Sequence, residues 1–127
     1  MILWSILIPS VPRRKEMTER LWTKLSAQIE ALSEPREVQL VMLRDNVRCT
    51  IGEKRPALLW AAAGEFLSFV DDDDDVSPDY VRIIMREIKT GPPFDLLTFS
   101  IACTIDGKAD AVVVPDPKCT LEECEDY

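Results

Sequence analysis

Five consecutive aspartates, Asp71 to Asp75, follow directly on the apolar run Phe66-Leu67-Ser68-Phe69-Val70. The run reads as a short buried strand, so the chain leaves its core at that strand's C-terminal end with the carboxylates emerging together. In open α/β sheets this edge is where ligands bind. Adjacent like charges repel one another, and a cation relieves the cost. The pattern points to a divalent metal holding a phosphorylated ligand.

Elsewhere the chain is ordinary for a soluble globular protein. Its 127 residues suffice for one domain with a hydrophobic core, and 46% of them are hydrophobic against 30% charged. The net charge of −8 is local in origin: Asp71–Asp75, Asp79, Glu122, Glu123, Glu125 and Asp126 supply ten of the 23 acidic groups, and the other 13 nearly balance the 15 Lys and Arg. No basic stripe forms, so direct nucleic-acid binding is not expected.

The apolar opening Met1–Ile8 lacks a basic leader and is too short for a signal segment. No stretch approaches the roughly 20 apolar residues of a transmembrane segment. Cys49, Cys103, Cys119 and Cys124 form no Cys-x-x-Cys pair and there is no histidine. Zinc is therefore not expected, and reduced thiols in a cytoplasmic protein are the default reading. Without histidine, a Ser-His-Asp or Cys-His system within this chain is excluded, and any general base is a carboxylate.

Trp4–Ile8 reads as a continuous apolar strand ended by Pro9-Ser10-Val11-Pro12. From Glu16 to Ser33, Met17, Leu21, Leu25, Ile29 and Leu32 recur at helical spacing while Glu16, Glu19, Lys24 and Glu30 lie off the stripe. Val38–Leu43 is a second strand. Pro56 suits the first turn of a helix over Ala57–Ala63 with Gly64 as its C-terminal cap. After the strand Phe66–Val70, Ser77-Pro78-Asp79 reads as a helix start with the Ser77 hydroxyl as cap. Tyr80, Val81, Ile84, Met85 and Ile88 form that helix's apolar face, and Gly91-Pro92-Pro93 stops it. Phe94–Thr104 and Ala109–Val114 look like two strands around an Asp106-Gly107 turn. The order β-α-β-α-β-α-β-β predicts an α/β fold, a mostly parallel sheet covered on both faces with a late hairpin. The expected organisation is one domain over 1–114 and an acidic tail over 115–127.

At this point the residues resemble a family. Trp4-Ser5-Ile6-Leu7-Ile8-Pro9-Ser10 is similar to the opening strand of family 2 glycosyltransferases of the GT-A fold. Ile51-Gly52-Glu53-Lys54-Arg55, then Ala62-Ala63-Gly64-Glu65-Phe66 and the strand running into Asp71-Asp72-Asp73-Asp74, resembles their Gly-x-x-Arg-Asn, Ala-x-Gly-Glu-Tyr and Asp-x-Asp signature. The match covers roughly residues 3 to 90. It implies a three-layer, Rossmann-like GT-A fold and binding of a nucleotide-diphosphate-sugar donor through Mn²⁺ or Mg²⁺. Carboxylates and phosphates suit such an ion, which stabilises a leaving diphosphate as a Lewis acid.

By this resemblance Asp71 faces the ribose, Asp72 belongs to the same donor-binding stretch, and Asp73 ligates the metal with Asp74 beside it. The run of five leaves that register open by one residue. Asp45 matches the acid that contacts the nucleoside, Pro9, Ser10 and Arg13 wall the base, and Lys54 or Arg55 meets donor phosphate or base. Pro56 departs from the family's Asn. Members also continue well past the Asp-x-Asp into a portion that supplies acceptor contacts and the catalytic base. Glu125-Asp126 faintly resembles the base-bearing Gly-Glu-Asp motif, with Cys124 in place of Gly. The acceptor is unknown, and a domain lacking its acceptor half exposes apolar surface that suits a homo-oligomer or a partner chain.

Other readings stay open on the residues alone. An aspartate run also suits a solvated loop, Asp45 a turn, and Arg55 a surface ion pair with the aspartates. Trp4, Trp22 and Trp60 read as packing residues. A non-catalytic nucleotide or nucleotide-sugar binding module, and an interaction protein whose acidic loop docks a basic partner or mimics nucleic acid, remain alternatives to an inverting transferase.

Overall fold

The first apolar run folds as strand β1, Trp4–Ser10, and every residue of it is buried. The computed structural model describes residues 1–45, 50–105 and 108–113. In them β1 is followed by α1 (Lys15–Glu30), β2 (Val38–Arg44), α2 (Ile51–Ala61), β3 (Phe66–Phe69) and α3 (Tyr80–Thr90), with 3₁₀ turns at Pro12–Arg14 and Pro35–Glu37. Strands β4 (Ile101–Ile105) and β5 (Lys108–Val113) come last. The chain divides into two compact units, Met1–Pro92 and the part from Pro93 onward. That division falls inside the span 1–114 expected as one domain.

In the first unit the strands form a parallel sheet of order β2-β1-β3. The central strand alternates its side chains between two covered faces. On one face the Trp4 ring packs 5.7 Å from that of Tyr80 in α3, and Ser10 Oγ lies 2.8 Å from Thr18 Oγ1 in α1. On the other, Ser5 donates to Gln39 Oε1 at 2.7 Å and Gln39 Nε2 donates to the Ala61 carbonyl at the end of α2. Crossovers of one hand that run first from β1 to β2 and then back to β3 put α1 and α2 on opposite faces, as the right-handed rule requires. This is an α/β unit compatible with the Rossmann-like class, and a sheet of three strands is too small to specify a GT-A fold.

Local chemistry sets the element boundaries. On α1, Leu21, Leu25 and Ile29 are buried as the spacing predicts, whereas Met17 is exposed. Helix α2 begins earlier than Pro56 suggested, because Thr50 and Glu53 form a reciprocal capping box and Pro56 lies inside the helix. The missing Pro56 N–H forfeits one helix bond. Gly64 does not cap α2, which ends at Ala61. Its role is close approach: a Cβ there would lie 2.6 Å from the Ser5 backbone nitrogen, and the Gly64 N–H donates to Ser5 Oγ at 2.9 Å. Helix α3 begins at Tyr80, beyond the Ser-Pro-Asp, and the Ser77 hydroxyl bonds Asp79 Oδ1 at 2.9 Å instead of capping it. Strand β1 continues through Pro9 because β3 stops opposite Leu7, leaving that edge of β1 with no ladder to interrupt.

In the second unit β4 and β5 pair antiparallel with a register shift between Cys103 and Thr104. They form their own two-stranded sheet and do not extend the parallel one, and β4 starts at Ile101 rather than Phe94. The expected Asp106-Gly107 turn and the 115–127 tail lie outside the described residues. Trp4 is core, as expected of a packing residue, but Trp60 is 91% exposed. No helix among the described residues is long and apolar enough to cross a membrane.

Gly64→Ala should lower stability by about 1–3 kcal/mol, the cost of forcing a methyl into a packed backbone contact. Urea unfolding measures it, and an unchanged midpoint would show that β1 yields at Ser5. A second expectation concerns pH. Lys89 donates to Glu37 Oε2 at 2.7 Å, and this bond first, with the Lys89 charge, holds the Glu37 carboxyl below its usual range. A depressed folded pKa stabilises the fold above the unfolded value, and that contribution disappears as pH falls through the folded value. Glu37→Gln should therefore lose less stability than the parent chain between about pH 5 and pH 3.

Candidate functional site

Three parallel neighbours deliver their C-terminal loops to one edge of the sheet, outside which α/β proteins bind ligands. The loop after β1 carries the Pro12–Arg14 turn, the one after β2 starts at Asp45, and the one after β3 carries Asp71–Asp75.

The five aspartates separate into three groups. The Asp74 N–H donates to the Asp71 carbonyl at 3.0 Å, closing a turn. Carboxylate oxygens of Asp71, Asp73 and Asp74 consequently lie within 4.8 Å of one another. Asp72 turns inward, its side chain only 3% exposed, and accepts from Arg14 Nη1 at 2.9 Å. The same nitrogen is 3.8 Å from Asp73 Oδ2. Asp75 points away to α1, where it accepts from Lys24 Nζ at 2.8 Å. That bond, with the Val76 amide, holds the Asp75 carboxyl below the usual range. Asp74 is pushed up, first by partial desolvation and then by the charges of Asp71, Asp73 and Asp72.

Cations from three elements frame this loop. Arg55 Nη2 lies 3.6 Å from Asp71 Oδ1, with its guanidinium 5.3 Å from the centroid of the Phe69 ring, so it is an ion-pair partner of the aspartates as well as a ligand candidate. Lys54 is 4% exposed, pairs with Asp45 and donates to the Ser10 carbonyl at 2.9 Å. It ties the ends of β1 and β2 together from inside. Pro9 and Ser10 are buried within β1, and the Ser10 hydroxyl is engaged by Thr18. Arg13 is exposed on the 3₁₀ turn, and its neighbour Arg14 reaches the aspartates. Glu125 and Asp126 lie outside the described residues.

Arg14 is the site residue that sequence reasoning missed. Its signal was available: two adjacent arginines follow Pro12 in the loop leaving the central strand, and a 3₁₀ turn there directs the second toward the neighbouring loop. No pattern in the run itself distinguishes Asp72 or Asp75 from the other three.

The donor set suits a hard divalent ion. All its donors are carboxylate oxygens, the kind Mg²⁺ and Mn²⁺ take, with no thiolate or imidazole. Asp72 Oδ2 is buried without a hydrogen-bond partner, as is Asp71 Oδ1, which has only the Arg55 guanidinium at 3.6 Å. Buried carboxylate oxygens lacking donors are costly, and a cation or its water would satisfy them. Arg14 and Arg55 on the flanks have the fork geometry that matches phosphate. No family model, curated protein or solved structure matches the chain.

Replacing Arg14 with Met leaves Asp72 buried without its cation. Because Arg14 is itself partly exposed, the expected loss is about 1–3 kcal/mol rather than the larger penalty of a fully buried pair. Asp72→Asn in the same chain should restore part of it in a double-mutant cycle, and additive effects would show that the two residues do not act as a pair.

Proposed function

We propose that the Met1–Pro92 unit is a GT-A-type domain, of the family 2 glycosyltransferase kind, that binds a nucleotide-diphosphate sugar through Mn²⁺ or Mg²⁺. The observation that carries this reading is the Asp71, Asp73 and Asp74 cluster at the C-terminal edge of the sheet, beside a buried Asp72 oxygen that lacks a hydrogen-bond partner. Asp73 and Asp74 are the metal ligands, with Asp71 between them and the donor ribose. A bound divalent ion supplies Lewis-acid stabilisation of charge developing on a leaving diphosphate. Arg55 and Arg14 add cations on either side of the position the phosphates would take. Lys54, held by Asp45 and the Ser10 carbonyl, acts as a strut for the nucleoside end.

In the catalytic form of this reading an acceptor hydroxyl, deprotonated by a carboxylate, attacks the anomeric carbon with inversion. Glu125 and Asp126 are the candidates by resemblance. A second reading, binding without transfer, is favoured by one observation. Outside the cluster, Asp45, Asp72 and Asp75 at this edge are engaged by Lys54, Arg14 and Lys24.

Calorimetric titration with uridine, guanosine and cytidine diphosphates, with and without Mn²⁺, tests the donor site. One nucleotide should bind only with metal, and Asp73→Ala should weaken it by more than about tenfold, over 1.4 kcal/mol. Equal binding by Asp73→Ala, or no binding of any diphosphate, would sink the assignment. Transfer or donor hydrolysis across an acceptor panel then separates the two readings.

A further inference from the structure

A groove of about 320 Å³ opens between α1 and the outer strand β2, lined by Thr18, Glu19, Trp22, Thr23, Met42 and Arg44. It lies on the β2 side of the central strand, whereas the aspartate loop follows β3 on the other side. Arg44 is its unusual member. The guanidinium Nε is buried with no hydrogen-bond partner, and Nη2 has only the Met42 sulfur at 4.0 Å. Among the described residues no carboxylate pairs with Arg44. Glu19, in the same groove, is exposed and lies 3.9 Å from Lys15.

A partly buried guanidinium without an anion is an unfavourable arrangement, since desolvation is not offset by a partner. Its terminal pair of Nη–H groups is the end-on fork that takes a carboxylate with two parallel bonds. Trp22 supplies a half-buried indole on the adjacent wall, and Met42 a polarisable sulfur that packs against aromatic rings. A volume of about 320 Å³ is at the small end for ligand pockets, enough for one substituted ring and too little for a nucleotide diphosphate.

We propose that this groove binds a small aromatic carboxylate, with its ring against Trp22 and its carboxylate on the terminal Nη edge of Arg44. At the rim Thr23 then donates to or accepts from ring substituents, Glu19 accepts from them, and the two set selectivity among such acids. The site is independent of the metal cluster, so it stands or falls apart from the donor-binding reading.

The test uses the full chain without metal or nucleotide, titrated with benzoate and with benzamide as its neutral counterpart, followed by tryptophan fluorescence and by the indole N–H signals in a ¹H–¹⁵N spectrum. Benzoate should bind at least about tenfold more tightly than benzamide and shift the Trp22 indole signal. Trp22→Phe should remove the fluorescence response. Arg44→Met, which keeps the aliphatic stem, should abolish the preference for the acid while leaving the unfolding midpoint unchanged or raised, because an unpaired charge has been removed. Arg44→Lys, which keeps the charge without the fork, should lose most of the preference. No benzoate binding up to about 10 mM, equal binding of acid and amide, shifts confined to other tryptophans, or a preference that survives in Arg44→Met would each overturn the proposal.

Discussion

Complete burial of the central strand is the constraint on which the rest depends. β1 pairs with β2 along its whole length and with β3 from Trp4 to Leu7, and helices cover both its faces, so every residue from Trp4 to Ser10 is buried. Ile6, Leu7 and Ile8 each contribute roughly 1.5–3 kcal/mol by burial, more than the roughly 1 kcal/mol of a helix cap such as Thr50. Burial against β1 therefore decides where the helices lie, and capping only trims their ends. Ser5 and Ser10 are the buried polar residues of this strand. Ser10 is met by Thr18 of α1, and Ser5 by Gln39 and Gly64, which tie β2 and the approach to β3 onto it.

With its sides occupied, the strand can meet polar chemistry only at its ends. The C-terminal end is where three loops converge, and charge there is organised by element. The turn after β1 sends Arg14 to Asp72, α1 sends Lys24 to Asp75, and α2 sends Lys54 to Asp45 and Arg55 to Asp71. Three of these ties fasten the acidic loop to the turn after β1, to α1 and to α2, and the fourth joins the ends of β1 and β2. Asp72 and Asp75 make the short ion pairs, whereas Asp71, 3.6 Å from Arg55, stays close to Asp73 and Asp74.

Much of this was legible in the chain. The apolar runs beginning at Trp4, Val38 and Phe66 became the three parallel strands, and Leu21, Leu25 and Ile29 became the buried stripe of α1. What misled was the punctuation. Pro56 and Gly64 suggested helix ends, but the capping pair Thr50 and Glu53 sets the start of α2, and Gly64 answers to the Ser5 backbone, a contact distant in sequence. Ser77 looked like a cap and instead bonds Asp79. Proline, glycine and serine each suit several local geometries, and tertiary neighbours choose among them.

Sequence by itself determined the element order, the parallel strands, and the emergence of five carboxylates at a strand's end, because hydrophobic periodicity and charge act locally. Only the tertiary structure decided which aspartates cluster, that Arg14 rather than Arg13 reaches them, that Lys54 turns inward, and that β4 and β5 form a sheet of their own. Those outcomes depend on which side chains from other elements come within about 3–4 Å, a distance at which hydrogen bonds and ion pairs are decided. Spacing along a chain does not encode it.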